Sequence, residues 1–163
     1  KALADMRNIC FNLMPKTLEN FGLAASIIEL GKQTEVKGKL AIVIKDNGTF
    51  PILNKQLEIA LFRVVQEFIN NSIKHSNAGR INIELNATKN IASILLKDNG
   101  TGFNITEAQN SKGMGLKNVK SRLQPYGVET MIASTPGSGT RYKIIVPVNN
   151  SNTIKKKRKK TRK

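Results

Sequence analysis

Tryptophan is absent from this 163-residue chain, aromatic residues make up only 5% of it, and Cys10 is its single cysteine. One cysteine excludes an intramolecular disulfide and a metal site built from a cysteine cluster. No apolar run approaches the roughly 18 residues of a membrane-spanning helix, and no signal-peptide pattern is present. Because hydrophobic residues still reach 39%, the sequence predicts one domain with an aliphatic core, and Cys10 is expected to pack on an apolar helical stripe.

Acidic residues are few as well: 11 of them stand against 27 basic ones, for a formal charge of +16. Eight of the basic side chains lie in Lys155–Lys163; without them 19 basic residues face 11 acidic ones, an excess of +8. Residues 149–163 are therefore predicted to form a disordered basic tail, because the like charges repel and nothing apolar is available to bury. The remaining surplus suits a polyphosphate ligand.

The spacing of apolar residues predicts helices at Leu3–Met14, at about Leu23–Leu30, from an N-cap at Asn54 to about Ser76, and from Gly113–Gly115 onwards. Strands are predicted at Leu40–Ile44, Ile81–Leu85, Ile91–Leu96, Val128–Ser134 and Thr140–Val146. A turn is predicted at Asp46–Gly48, and a glycine-punctuated loop runs from Asp98 to Lys112. This order of elements predicts an α+β fold: a two-layer sandwich in which a mixed sheet carries helices on one face.

Polar side chains form a stripe along the otherwise apolar long helix. The stripe consists of Arg63, Glu67, Asn70, Asn71 and Lys74. A largely buried helix does not carry a carboxylate beside two amides without a polar partner, because their desolvation is costly. Glu67 and Asn71, one turn apart, present oxygen atoms in the same direction, which suits Mg²⁺. The alternative is a solvated helix face with no ligand.

A second candidate motif follows the third predicted strand, where Asp98 precedes Asn99-Gly100-Thr101-Gly102. Taken alone, Asn99-Gly100 is more typical of a hairpin turn. The functional interpretation is that Asp98 closes a buried strand and directs its carboxylate into a pocket, where it accepts a hydrogen bond from an exocyclic amino group such as that of adenine. Gly100 and Gly102 would then let the backbone pass close to the base.

The third motif is Gly113-Met114-Gly115-Leu116, which leads directly into a predicted helix. A glycine-rich turn at a helix N-terminus offers free N–H groups and the positive end of the helix dipole, so it binds phosphate readily. The motif lacks the third glycine of a dinucleotide fold and the Gly-Lys-Ser/Thr ending of a P-loop. Alone it is ambiguous.

The order and spacing of these motifs resemble the ATP-binding (Bergerat) fold of the GHKL family over roughly residues 36–148. The pieces that carry the resemblance are Gln66–His75, Asp98–Phe103, Gly113–Leu116 and Gly139-Thr140. The resemblance implies ATP and Mg²⁺ as ligands, with Asn71 as metal ligand, Glu67 as its acidic catalytic partner, and Asp98 and Thr140 at the adenine. It further implies that Gly113, Met114, Gly115, Leu116 and Lys74 line the phosphate region, and that Phe103–Lys112 form a short mobile lid.

Three features are similar to sensor histidine kinases among the GHKL branches: the short lid, Gly115-Leu116 followed by Arg122-Leu123, and the segment from Arg7 to Leu23. That segment resembles the end of a dimerisation helix and linker in the NarL-partner (DesK/NarX-like) class. Residues 1–35 are accordingly expected to be a remnant of that helix and linker. The resemblance implies a cytoplasmic catalytic domain whose parent, with or without a membrane anchor, is a homodimer that passes phosphate to a response regulator.

His75 is the only histidine of the chain, and it lies inside the predicted nucleotide-site helix. At that position the family carries a packing and hydrogen-bonding histidine, so a phospho-accepting role is not expected. Because the chain begins at Lys1 rather than methionine, we expect a fragment or processed product that lacks the phospho-accepting histidine, which would lie on the dimerisation domain of the parent chain.

Two other functions remain open from the sequence. One is another GHKL ATPase or an anti-sigma serine kinase, against which the dimerisation-helix remnant argues. The other is a nucleic-acid or anionic-membrane binding module that uses the basic tail. That tail lacks interleaved aromatic residues and a reading helix, so no specific nucleic acid is expected as a partner.

Overall fold

The computed structural model describes residues 16–110 and 115–149. The helices are α1 (Lys16–Thr34), α2 (Lys55–His75), α3 (Ile105–Asn110) and α4 (Gly115–Leu123), the last followed by a 3-10 turn at Gln124–Tyr126. The strands are β1 (Ala41–Asp46), β2 (Arg80–Ala87), β3 (Ile91–Asp98), β4 (Glu129–Ser134) and β5 (Thr140–Pro147). The predicted helix Leu3–Met14, including Cys10, and the basic tail lie outside the described residues.

The strands form one five-stranded sheet in the order β1-β2-β3-β5-β4. β1 pairs with β2 in parallel, and the other neighbours are antiparallel. Burial alternates along β2, where Ile81, Ile83 and Leu85 are fully buried and the residues between them are partly exposed. The predicted mixed sheet with one face under helices is therefore confirmed.

Helix α2 begins where the sequence predicts, and it buries the face that the sequence predicts. The Asn54 side chain accepts hydrogen bonds from the backbone N–H groups of Gln56 and Leu57, at 3.0 and 3.2 Å, which caps the helix as expected. The six apolar residues predicted for its buried face are all at most 1% exposed: Leu57, Leu61, Val64, Val65, Phe68 and Ile69. Each such side chain contributes about 1.5–3 kcal/mol by leaving water.

Helix α1 is longer than the predicted Leu23–Leu30 and is interrupted at Gly22, whose φ of 79° and ψ of −174° are not helical. The carboxylate of Glu58 accepts hydrogen bonds from the backbone of Leu23 and, at 3.1 Å, from Leu53 N. The helix continues past Gly31 to Thr34. A side chain at Gly31 would clash with β1, since a Cβ there would lie 2.6 Å from Ile44 Cδ1. This glycine allows α1 to lie directly on β1 rather than ending the helix.

Helix α3 was not predicted, because the segment between Asp98 and Lys112 was interpreted as a loop. Asn104 begins this helix: its Oδ1 accepts from Thr106 N and Glu107 N, and its Nδ2 donates to Glu107 Oε1 at 2.8 Å. An acidic residue three positions after a capping residue is a recognised helix start, so the signal was present in the sequence. Within the described residues, no helix is both long and apolar enough to cross a membrane.

Candidate nucleotide-binding site

A cleft of about 380 Å³ opens between the C-terminal half of α2, the end of β3, the segment containing α3, the start of α4 and the start of β5. Five of the predicted site residues line it: Asn71, Asp98, Gly102, Leu116 and Thr140. Its volume is within the range of small-molecule sites in proteins. The structure thus brings together residues that are up to 69 positions apart, from Asn71 to Thr140.

Asp98 is the last residue of β3 and is only 2% exposed. Its Oδ1 accepts from Gly100 N at 2.8 Å, and its Oδ2 accepts from Ser72 Oγ at 3.1 Å. A carboxylate offers about four acceptor positions, so two protein donors leave it able to accept from a ligand in the cleft. The expected position of Asp98, at the end of a buried strand and facing a pocket, is confirmed.

The hairpin interpretation of Asn99-Gly100 is wrong. The next strand begins only at Glu129, and Asn99 makes a different connection: its Oδ1 accepts from Gly79 N and Arg80 N at 3.0 and 2.8 Å. Thr101 N then donates to Ser76 O at 2.7 Å. The segment after Asp98 is therefore fixed to the end of α2 and the start of β2.

The glycines of this segment are required by close approaches within the protein itself. A Cβ on Gly100 would lie 2.3 Å from Ser76 O, and one on Gly102, whose φ is +61°, would lie 2.1 Å from Thr135 O. Only Gly102 of the two lines the cleft. These glycines allow the wall that carries Asp98 to close against α2 and the β4–β5 turn.

Only part of the polar stripe of α2 lines the cleft. Asn71 is exposed and lines it, whereas Glu67, one turn earlier, lies outside the lining. Glu67 Oε2 is 3.5 Å from Arg122 Nη1 of α4, and the Glu67 side chain is 28% exposed. Burial raises the pKa of Glu67 above its ordinary value, and the charge of Arg122 acts in the opposite direction. Glu67 is thus a partly desolvated carboxylate held next to a cation.

Lys74 is exposed and does not line the cleft, while His75, the last residue of α2, is exposed at its wall. The expectation that His75 packs into the structure is therefore not confirmed. Gly113 and Met114 lie outside the described residues. Gly115 is the first residue of α4, so the predicted phosphate turn does lead into a helix from this residue onwards.

Several lining residues were not predicted as site residues: Phe68, Ser72, His75, Ser76, Phe103, Ala108 and Tyr142. The rings of Phe68 and Tyr142 meet edge to face, with centroids 4.9 Å apart. Burial, and then the nearby carboxylates of Glu67 and Asp98, raise the pKa of Tyr142 to about 12. Tyr142 lies two residues after Thr140 on β5, so the period of two along a strand places both on one face and was a usable signal.

The residues present fit a magnesium ion that is bound largely through a ligand's phosphates. No group of three or more His, Cys, Asp or Glu side chains in the described part of the chain could hold a metal alone. Asn71 offers an amide oxygen at the cleft and Glu67 a carboxylate one turn away. In proteins, Mg²⁺ is commonly held by one or two protein oxygens together with phosphate and water.

A family model described as "Histidine kinase-, DNA gyrase B-, and HSP90-like ATPase" matches residues 56–150. The chain is 34% identical over 149 residues to Sensor protein VraS of Staphylococcus haemolyticus, covering 89% of this chain and 41% of that protein. It is 30% identical over 147 residues to the Signal transduction histidine-protein kinase/phosphatase DegS of Brevibacillus brevis, covering 90% and 38%. The chain thus spans about two fifths of the length of these relatives.

Solved structures show the same fold. The histidine kinase domain of a blue-light activated histidine kinase from Erythrobacter litoralis EL346 superposes with a TM-score of 0.66 at 15% identity, covering 79% of this chain and 62% of that chain. Full-length ShkA in complex with AMPPNP gives a TM-score of 0.60 at 16% identity, covering 81% of this chain and 30% of that chain. At these identities the likeness concerns the fold.

Proposed function

The chain belongs to the histidine kinase-, DNA gyrase B- and HSP90-like ATPase family, and from that premise we propose that it is the ATP-binding catalytic domain of a sensor histidine kinase. The buried carboxylate of Asp98 at the cleft carries the proposal, because it has acceptor positions that no described protein donor fills. The likeness to VraS and DegS over about nine tenths of this chain supports a sensor kinase rather than another ATPase of the family.

In this proposal Asp98 accepts a hydrogen bond from the exocyclic amino group of adenine, and Thr140 contacts the same group directly or through water. Gly102 and Leu116 border the base. Desolvation makes the selection strong: a buried acceptor that meets no donor has lost its water without compensation. The rings of Phe68 and Tyr142, which contact each other and line the cleft, supply apolar surface against which the base can pack.

The phosphate groups extend in the proposal towards Asn71, with Gly113, Met114, Gly115 and the adjoining backbone amides around them and Lys74 within reach. Asn71 and Glu67 would hold Mg²⁺, which neutralises phosphate charge during transfer. Arg122 lies 3.5 Å from Glu67 and would balance part of its charge. Gly100 acts indirectly, by allowing the Asp98 wall to pack on Ser76.

The phosphoryl acceptor is a histidine on the dimerisation domain of the parent chain, from which a response regulator takes the phosphate. The parent is proposed to be a homodimer, as in the class that residues 1–35 resemble. His75 does not serve as acceptor, because a phospho-acceptor must approach the γ-phosphate in line and then leave. As the last residue of α2, it is part of the cleft wall.

Asp98→Asn tests the adenine assignment. Asn keeps an oxygen for Gly100 N but places an amide donor where the carboxylate accepted, so it opposes the adenine amino group. We expect ATP affinity, measured by calorimetry, to fall by about 100-fold or more, while the unfolding midpoint changes little.

Asp46→Asn provides the matched control. Asp46 is the exposed last residue of β1, where its Oδ1 accepts from Gly48 N at 3.0 Å, and the same chemical change there should leave ATP affinity unaltered. Unchanged ATP affinity in a folded Asp98→Asn variant would contradict the assignment.

A further inference from the structure

Ser134 is a buried hydroxyl outside the motifs that resemble the family, and it connects three parts of the cleft. It is the last residue of β4 and is 8% exposed. Its Oγ accepts from Phe103 N at 2.9 Å, donates to Gly139 O at 2.9 Å, and lies 3.3 Å from Thr140 Oγ1. It therefore touches the start of the segment that carries α3, the β4–β5 turn and one of the two polar groups proposed to face the base.

The direction of these hydrogen bonds follows from the number of protons available. A serine hydroxyl has one proton and two lone pairs. Gly139 O can only accept, so the Ser134 hydroxyl donates its one hydrogen to it. Phe103 N can only donate, so its hydrogen bond occupies one lone pair of Ser134 Oγ. At the contact with Thr140 Oγ1, Ser134 has only a lone pair left, so Thr140 must be the donor.

Thr140 consequently presents acceptor lone pairs to the cleft, because its own proton is directed at Ser134. Asp98, at the end of the neighbouring strand β3, is also an acceptor. Two acceptors facing one ligand position suit an amino group and repel a keto oxygen, since the latter would meet lone pairs without a proton between them. The cleft would thus discriminate between purines by the group at position 6.

We propose that Ser134 is a positioning residue for base selectivity. By accepting a hydrogen bond from the Thr140 hydroxyl, it leaves Thr140 with only acceptor lone pairs for the ligand, and the cleft then selects a 6-amino over a 6-keto purine nucleotide. The proposal rests on the proposed function, that is, on ATP binding in this cleft. Ser134 does not touch the nucleotide; it acts through Thr140. When Ser134 is removed, the Thr140 hydroxyl is free to rotate and to donate towards a keto oxygen.

The test measures, by calorimetry, the affinities of the chain for ATP and for inosine triphosphate, which carries a keto group in place of the amino group at position 6 and a proton on N1. In the wild type we expect ATP to bind far more tightly. Ser134→Ala should reduce the ATP-to-inosine-triphosphate affinity ratio by about tenfold, the effect of about one hydrogen bond. Ser134→Cys keeps most of the side-chain volume while replacing the hydroxyl with a weak hydrogen-bonding group, so it should lower the ratio in the same direction if Ser134→Ala folds poorly.

A double-mutant cycle with Thr140→Val separates this role from a structural one. If Ser134 acts through Thr140, adding Ser134→Ala to Thr140→Val should leave the affinity ratio unchanged, since no hydroxyl remains to be oriented. Ser138→Ala is the control: Ser138 is exposed in the same turn and lies outside the lining of the cleft, and the ratio should keep its wild-type value.

The outcomes are distinct. If the wild type does not bind ATP, the proposed function fails, and this inference fails with it. If the wild type prefers ATP but Ser134→Ala and Ser134→Cys lower the affinities for both nucleotides by the same factor, Ser134 has only a structural role and the inference is overturned. Independent, additive effects of Ser134→Ala and Thr140→Val on the ratio would overturn it as well.

Discussion

At the scale of single residues, Glu58 shows how a buried carboxylate joins separate segments. It is 4% exposed and accepts from the backbone of Leu23, just after the interruption of α1, and from Leu53 N. Burial raises the pKa of Glu58 above 4.5, and the two backbone donors act in the opposite direction. The Glu58 carboxyl group therefore holds its proton more tightly in the native state than in the unfolded chain.

The sign of the resulting pH dependence follows from linkage. The contribution of protonated Glu58 to stability is fully present below about pH 4.5 and is lost as the pH rises through the folded-state pKa. Glu58→Gln cannot ionise, so we expect its stability relative to the wild type to increase as the pH rises from about 4 to about 7, by ~1.4 kcal/mol per unit of pKa shift. Urea unfolding at a series of pH values measures this.

Glu129→Gln removes one carboxylate from an exposed position on β4 and serves as the control. Its stability difference from the wild type should vary little over the same pH range. A Glu58→Gln difference as flat as that of Glu129→Gln would show that Glu58 is as well stabilised in its ionised form inside the protein as in water.

Residues with a local cause were the ones the sequence could predict. Asn54 caps α2 by accepting from backbone N–H groups two and three residues later, and Asp98 ends a strand whose apolar pattern is visible in the sequence. Glu58 could not be recognised, since its partners Leu23 and Leu53 come from other segments. The same holds for Ser134, whose three partners are brought together only by the closed sheet and turns.

At the scale of elements, the segment from Phe103 to Asn110 contributes a short helix to the cleft wall. Its helix α3 has six residues, and a helix this short is marginal without packing. Phe103 and Ala108 line the cleft, and Phe103 N is held by Ser134. Such a segment opens with a low free energy.

We therefore expect bound ATP to slow amide exchange in this segment. At a nucleotide concentration about 100 times Kd, linkage adds up to ~2.7 kcal/mol to any opening that releases the ligand, or about 100-fold in exchange rate. Hydrogen exchange with mass spectrometry measures it, with β1 at the far edge of the sheet as the internal control. Equal exchange at Phe103–Asn110 with and without ATP would show that the segment does not cover the nucleotide.

The elements themselves divide by how strongly local signals specify them. The strands and α2 were predicted because long apolar patterns of period two or 3.6 mark them. Helix α3 was missed because one and a half turns carry little periodicity, although Asn104 and Glu107 marked its start. The end of α1 was placed too early because Gly31 breaks the pattern, while in the fold it permits close contact with Ile44.

At the scale of the whole molecule, the strands that form the sheet could be predicted from the sequence, but their order in the sheet could not. β5 lies between β3 and β4, and β1 pairs in parallel with β2 across the intervening helix α2. These pairings join distant segments, and no local pattern specifies them. The resemblance in the ordered motifs supplied the fold, and the pairing of β3 with β5 explains how Asp98 and Thr140 come to face one cleft.

If the chain binds ATP as proposed, its single histidine is the only candidate phospho-accepting histidine in it, so we expect the chain to show no stable phosphorylation with ATP and Mg²⁺. Its only histidine, His75, ends α2 in the wall of the cleft and cannot align with the γ-phosphate and withdraw. Adding a separately purified dimerisation domain from the parent protein should produce phosphorylation of that domain in trans. Labelled ATP and detection of an acid-labile, base-stable product test both expectations. Label on this chain alone that disappears in His75→Gln would show that His75 is a phospho-acceptor, and absence of transfer to the added domain would contradict a complete catalytic site.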